Sequence, residues 1–162
     1  MYQREVQGVQ MSNVWFTSDP HFYHKNVIDY CNRPFDSVEE MNETLIKNWN
    51  DRVKKNDTIY ILGDFCFGTK EQCIEILKRL NGQKFLIYGN HDTRFRSGTF
   101  AKYFQWRGDL KEIKIDDQRF VLCHFAMRTW HKREKGAIHL YGHSHGNLPE
   151  DPNSLSADVG VD

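Results

Sequence analysis

The sequence predicts a mixed α/β layered domain. Three observations carry the prediction. Five short apolar runs have strand length, at residues 14–17, 58–62, 85–88, 120–123 and 138–141. Two amphipathic segments with helix-capping residues lie between the first three runs. The resulting order is β-α-β-α-β followed by further strands, which suits stacked layers rather than a bundle or barrel.

Taken in order, residues 1–12 are polar and lack the apolar core of a secretory signal. They read as a disordered extension, with Met11 as an alternative start, so the domain is expected to span residues 13–162. The first helix starts at Ser37, with Glu40 completing a capping box. Its apolar stripe is Val38, Met41, Leu45, Trp49 and Val53. The second starts at Thr69, with Gln72 in the matching position and Cys73, Ile76, Leu77 and Leu80 facing inward. Asn81-Gly82 supplies its left-handed stop. Residues 99–106 are expected to form a third, short helix. Residues 111–115 and 119–123 read as a hairpin turning at Asp116-Asp117. The near-continuous apolar runs suggest strands covered on both faces.

Bulk properties narrow the function. A chain of 162 residues fits one domain. Lys plus Arg and Asp plus Glu both number 22, so the formal charge is zero. The basic footprint of a protein that grips long nucleic acid is absent, and such a partner is not expected. The four cysteines (Cys31, Cys66, Cys73, Cys123) form no CxxC pair and read as reduced thiols of a cytoplasmic protein, with Cys73 and Cys123 in the core. No stretch approaches the roughly 18 apolar residues of a membrane span.

The chemistry lies after the apolar runs. They are followed in turn by Asp19 and His21, by Gly63-Asp64, by Gly89-Asn90-His91-Asp92, by His124, and by Gly142-His143 with His145. Ligands of α/β sheets bind outside the carboxyl ends of strands, so five distant segments can converge on one site. Carboxylate, amide and imidazole suit Mn²⁺, Fe, Zn²⁺, Ni²⁺ or Co²⁺. Asp19, His21, Asp64, Asn90, His124, His143 and His145 exceed the four ligands of a simple zinc site. That surplus argues for two divalent ions sharing a carboxylate. Each motif alone is weak: a G-N-H-D can be a turn, and an H-x-H an incidental pair. The ordered set of five is specific.

This ordered set resembles the calcineurin-like metallophosphoesterases, and most of all their short, stand-alone bacterial and phage members. The resemblance runs from about Val14 to the end of the chain. It implies an α/β/β/α sandwich with the metal site at the carboxyl ends of the strands. It further implies Asp19, His21 and His145 on one ion, Asn90, His124 and His143 on the other, and Asp64 between them. His91 would be the general acid, and Asp92 would orient it. A hydroxide bridging the two ions would attack phosphorus, with His91 protonating the leaving oxygen. The segment after Asp64 lacks the Asp-Arg-Gly of the protein Ser/Thr phosphatase branch, which argues against that activity. Similar proteins continue beyond a strand such as residues 158–162, so a truncated or compact sheet is expected.

The expected substrate is a small phosphate ester, a nucleotide among the candidates, with a diester favoured over a monoester. The alternative is a catalytically silent metal-binding interaction module on the same fold. Such proteins tend to lose site residues, especially the catalytic His, and none is missing here. His24, Arg128 and His131 are candidate substrate contacts. His24 is equally a supporting or surface residue. Arg128 and His131 belong to a basic stretch, residues 126–136, that reads either as a phosphate-binding loop or as a solvated one. His139 reads as a structural histidine between Ile138 and Leu140.

Overall fold

The computed structural model describes residues 12–149 and 151–162. Apart from Ser12, the expected N-terminal extension lies outside the described residues. Among the described residues, eight strands form two four-stranded sheets. The first sheet holds β1 (Val14–Thr17), β2 (Thr58–Ile61), β3 (Gln83–Ile87) and β4 (Trp106–Gly108), all parallel and in that order. The second holds β5 (Leu110–Ile115), β6 (Gln118–Cys123), β7 (Ile138–Tyr141) and β8 (Ser156–Asp158). Here β5 and β6 form the expected antiparallel hairpin, and β6, β7 and β8 are parallel. Asp116 takes the left-handed turn position at φ 50°, a conformation Asp tolerates better than most residues.

The apolar runs are continuous because the strands of the first sheet are covered on both faces. Ile59, Ile61 and Leu86 point to a core shared with Ile46, Trp49, Cys73, Ile76 and Leu77 of the helices. Their neighbours Tyr60, Leu62 and Ile87 point the other way, to a core between the sheets that includes Leu122 and Leu140. Period-two alternation thus serves two cores at once. The outermost layer, over the second sheet, is thin. Trp130 and Ala137 close it over Val121, with one 3₁₀ turn at Arg133–Lys135.

Helices α1 (Asn26–Tyr30), α2 (Val38–Arg52) and α3 (Lys70–Arg79) lie on the first sheet's side of the chain order. The capping box at Thr69 and Gln72 is complete. At α2 it is split. Ser37 accepts from the Glu40 amide, but the Glu40 carboxylate reaches back to the Asp36 amide, 2.9 Å away. The buried face of α2 is Met41, Asn42, Ile46 and Trp49, while Val38 and Leu45 are only half-buried. Asn42 is tolerated there because its Oδ1 accepts from the Tyr23 amide at 3.0 Å.

Two expectations are corrected. Residues 99–106 are not one helix: a 3₁₀ segment covers Gly98–Tyr103, and Trp106 begins β4. Phe104 leaves the helical region at φ −126° and ψ 140°. Its ring, with Phe95 and Phe100, is thereby turned into the helix-side core. Cys123 is half-buried rather than core, since it ends β6 at the mouth of the sheet, whereas Cys66 and Cys73 are both buried. Short α1, β4 and β8 carry too few residues for periodicity to reveal them.

His139 is fully buried, as expected of a structural histidine. Its Nδ1 lies 2.9 Å from the Val121 carbonyl, and its Nε2 accepts from the Met127 amide at 3.1 Å. Burial lowers its pKa below the ordinary 6.5, outweighing the pull of the nearby carbonyls. A neutral ring is then favoured by the fold. This contribution is full above the unfolded pKa and is lost as pH falls below it, because the unfolded chain binds the proton more readily. Urea denaturation between about pH 7 and pH 5 should therefore show a falling midpoint. His139→Gln should flatten that slope, by at most about 1.4 kcal/mol per pH unit. Identical slopes for the two proteins would remove His139 from the acid response.

Candidate metal centre

Beyond their last residues, β1 and β2 continue side by side as loops. The amides of Asp19, His21 and Phe22 donate to the carbonyls of Gly63, Asp64 and Phe65, each at 3.1 Å. The chain advances in steps that place Asp19, His21 and Asp64 at φ 55°, 51° and 52°. His143 and His145, after β7, sit at 66° and 47°. Left-handed backbone is costly for residues with a Cβ, and such strain gathers at functional sites. Here it turns five side chains inward from two sheets.

The glycines at these corners permit the close approach. A Cβ on Gly89 would overlap the Asp64 carboxylate and lie 2.6 Å from its amide nitrogen. A Cβ on Gly142 would run into Ser18 and the Asp19 carboxylate.

Two three-residue groups result. Ligand atoms of Asp19, His21 and His145 all lie within 4.8 Å of one another, and those of Asp64, His124 and His143 do likewise. The groups adjoin at Asp64, whose Oδ2 is 3.8 Å from His21 Nε2 and 3.6 Å from His124 Nε2. His124 is fully buried and aimed: Nδ1 lies 2.6 Å from the Leu62 carbonyl, leaving Nε2 to face Asp64 and the Asn90 Oδ1 at 3.1 Å. His21 Nδ1 meets His24 Nδ1 at 3.2 Å, so its Nε2 faces inward.

Asp19 Oδ1 and His21 Nε2 are buried, 3.6 Å apart, and without a hydrogen-bond partner among the described residues. Buried polar atoms are almost always paired, so two facing orphans mark a place for a ligand. The donor set is oxygen and imidazole, which fits a divalent transition-metal ion. The centre fits the metals that the sequence implies. Burial pushes the Asp19 carboxyl upward, but the neighbouring His21, Ser18 and His124 side chains and the hydrogen bond from the His143 amide bring it below its ordinary value.

The remaining candidates fall in different places. His91 is exposed at the rim, its ring 4.9 Å from Phe67 and 6.4 Å from His21. Its backbone amide donates to Asp64 Oδ1 at 3.0 Å. Asp92 makes no hydrogen bond to the His91 ring among the described residues. Its carboxylate accepts from the amides of Asp64, Phe65 and Gly89 at 2.8, 3.0 and 2.8 Å. It is 1% exposed, and burial raises its pKa against the pull of those amides. It is a staple that joins the β2 and β3 loops. His24 stacks on Phe67 at 4.1 Å and 8°, beside His21. Arg128 lines a cleft of about 800 Å³ with Arg133, Tyr141, Gly146, Leu148 and Asp158. His131 is exposed and held by Glu112 of β5 at 2.9 Å, apart from both ligand groups.

Sequence reasoning did not single out Phe67, Phe125, Arg33 or Asp162. Phe125 packs on His124 and His143 at 5.0 and 4.7 Å. Burial pushes the Asp162 carboxyl up, yet hydrogen bonds from His145 and Arg33 carry it down to about 2. The Asp162 bond in turn raises the pKa of His145. No motif announces any of these four: apart from the contact of Phe125 with the adjacent His124, each owes its place to a partner distant in sequence.

The sequence model of the calcineurin-like phosphoesterase family matches residues 12–125. A protein of Methanocaldococcus jannaschii is 38% identical over 141 residues, covering 86% of this chain and 73% of the relative. An Aquifex aeolicus protein of unknown function has a similar fold, with a TM-score of 0.71 at 24% identity, covering 93% of this chain and 91% of that one. An archaeal phosphodiesterase has a TM-score of 0.55 at 20% identity, covering 91% and 82%. The candidate ligands at the strand ends and the matched family agree: the chain belongs to the calcineurin-like phosphoesterases, metal-dependent hydrolases of phosphate esters.

Proposed function

We propose that the chain hydrolyses a small phosphodiester at a centre of two divalent ions. The observation that carries this reading is the position of Asp64 Oδ2, within 3.8 Å of one histidine from each ligand group. Asp19, His21 and His145 would hold one ion, Asn90, His124 and His143 the other, with Asp64 shared. Mn²⁺ is the ion proposed first; Fe, Zn²⁺, Ni²⁺ and Co²⁺ suit the same donors. When bound, the pair supplies Lewis acidity and lowers the pKa of water at the site.

The chain's own groups do the rest. Asp64 takes the His91 amide, and Asp92 fixes the amides of Asp64 and Gly89, so the loop carrying His91 is tied to the shared carboxylate. The exposed His91 imidazole is free to deliver a proton to the leaving oxygen, work suited to an imidazole. Asn90, His91 and His143 are all exposed, which leaves open space for the two ester groups of a diester. Arg128 and Arg133, in the neighbouring cleft, would favour an anionic substrate such as a nucleotide. Four free thiols fit a reducing compartment, the cytoplasm. Among the described residues, no helix is long and apolar enough to cross a membrane.

Protein stripped of metal and reloaded with Mn²⁺ should cleave bis(p-nitrophenyl) phosphate faster than p-nitrophenyl phosphate. A monoester preference would replace the diesterase assignment, and no cleavage of either would leave only the metal-binding module. His91→Ala should keep both ions by elemental analysis yet lose about 10²-fold in turnover; unchanged turnover would remove His91 from the reaction. Asp64→Asn should bind at least one ion fewer, and full occupancy would refute the shared carboxylate.

A further inference from the structure

We infer that Arg33 and Asp162 form a buried clamp that positions His145, and with it one of the two proposed ions. The inference rests on the metal reading above and concerns residues outside its ligand set. Arg33 is 8% exposed, and every polar atom of its guanidinium is engaged. Nε and Nη2 hold the two oxygens of Asp162 at 2.6 and 2.8 Å. Nη2 also donates to the Asp19 carbonyl at 2.8 Å, and Nη1 to the Pro20 carbonyl at 3.0 Å. One guanidinium thus ties the backbone of the β1 loop to a residue 129 positions away in sequence.

Asp162 passes that order on. Its Oδ2 meets His145 Nδ1 at 2.5 Å, and its side chain is 8% exposed. With Nδ1 taken, only Nε2 of His145 remains for the centre, and it lies 4.0 Å from Asp19 Oδ1. A carboxylate that fixes the ring and tautomer of a metal-binding histidine raises its basicity and its affinity for the ion. The segment reaches this place because Gly160 bridges to Ser18, next to Asp19. Arg33 therefore fixes Asp19 from behind and His145 through Asp162. Both are candidate ligands of the same ion.

Cys31 approaches His145 Nδ1 at 3.4 Å and completes a Cys-His-Asp trio. That trio is not a further cation site. Both Asp162 oxygens already face the Arg33 guanidinium, which would repel a second cation.

The test is Mn²⁺ binding to metal-free protein, resolved into two steps by calorimetry, with folding checked by circular dichroism. Asp162→Asn should weaken one step by about 10–100-fold and leave the other unchanged. Arg33→Lys, which keeps the charge but loses the fork, should weaken the same step. The double variant should lose no more than the worse single one. Should Asp162→Asn fail to fold, Arg33→Lys alone decides. Two steps of unaltered affinity, or equal weakening of both, would overturn the clamp. Wild-type protein that binds no Mn²⁺ would instead overturn the metal reading, and the clamp with it.

Discussion

Two buried carboxylates, Asp19 and Asp64, set the terms for the rest of the molecule. Both are at most 2% exposed, and no lysine or arginine side chain pairs with either among the described residues. Burying a charge costs several kcal/mol even after relaxation unless partners compensate. Each carboxylate accepts one backbone amide, from His143 and His91, and the side chains facing them are imidazoles of His21, His124 and His145, none closer than 3.6 Å. That spacing is too long for hydrogen bonds and leaves room for cations. The centre is assembled around missing positive charge, which divalent ions would supply.

Meeting that demand shapes the chain. The side chains must arrive from two sheets, so β1, β2, β3, β6 and β7 all end at one edge. They must also turn inward at once, which forces left-handed backbone on five residues that carry a Cβ. Strain of this kind persists only where the surroundings over-determine it. Several anchors do so here. Asp92 gathers three amides of the β2 and β3 loops, and Asp19 Oδ2 accepts the His143 amide at 2.8 Å. Ser18 donates to the Leu62 carbonyl at 2.7 Å. The two cores on the opposite faces of the first sheet give these loops a packed base.

This logic explains what the sequence made legible. Strands buried on both faces must be apolar throughout, so β1, β2, β3, β6 and β7 stand out, and the residues just after them are the ligand candidates. The hairpin and the caps at Ser37 and Thr69 are local chemistry and read just as directly. What escaped depends on distant partners or short length. Asp92 sits in the G-N-H-D run beside His91, and adjacency suggested that it serves His91. The fold instead aims it at the amides of Asp64 and Phe65, at a sequence distance no motif records. Arg33 is an isolated arginine, and its worth comes from two carbonyls and Asp162. Phe67, on which His24 stacks, differs from other phenylalanines only in where β2 leaves it.

The division between centre and rim has a consequence for specificity. The buried candidate ligands suit cation chemistry, and their geometry leaves little freedom to distinguish one phosphate ester from another. Discrimination must come from groups that can touch the parts of a substrate remote from phosphorus. Under the proposed function those groups would be the ones on the thin outer layer and its neighbours: Phe125 beside His143, and Arg128 and Arg133 in the adjoining cleft. That layer is held by Trp130, whose Nε1 donates to the Ala137 carbonyl at 2.8 Å, and by His139, which takes the Met127 amide. The structural histidine therefore sets the backbone from which the cleft is built, while remaining outside the ligand set. Under that reading, substitutions in this layer would alter which ester is accepted while the candidate ligands stay fixed, because Asp19, Asp64 and His124 are anchored from the opposite side by the loops of the first sheet.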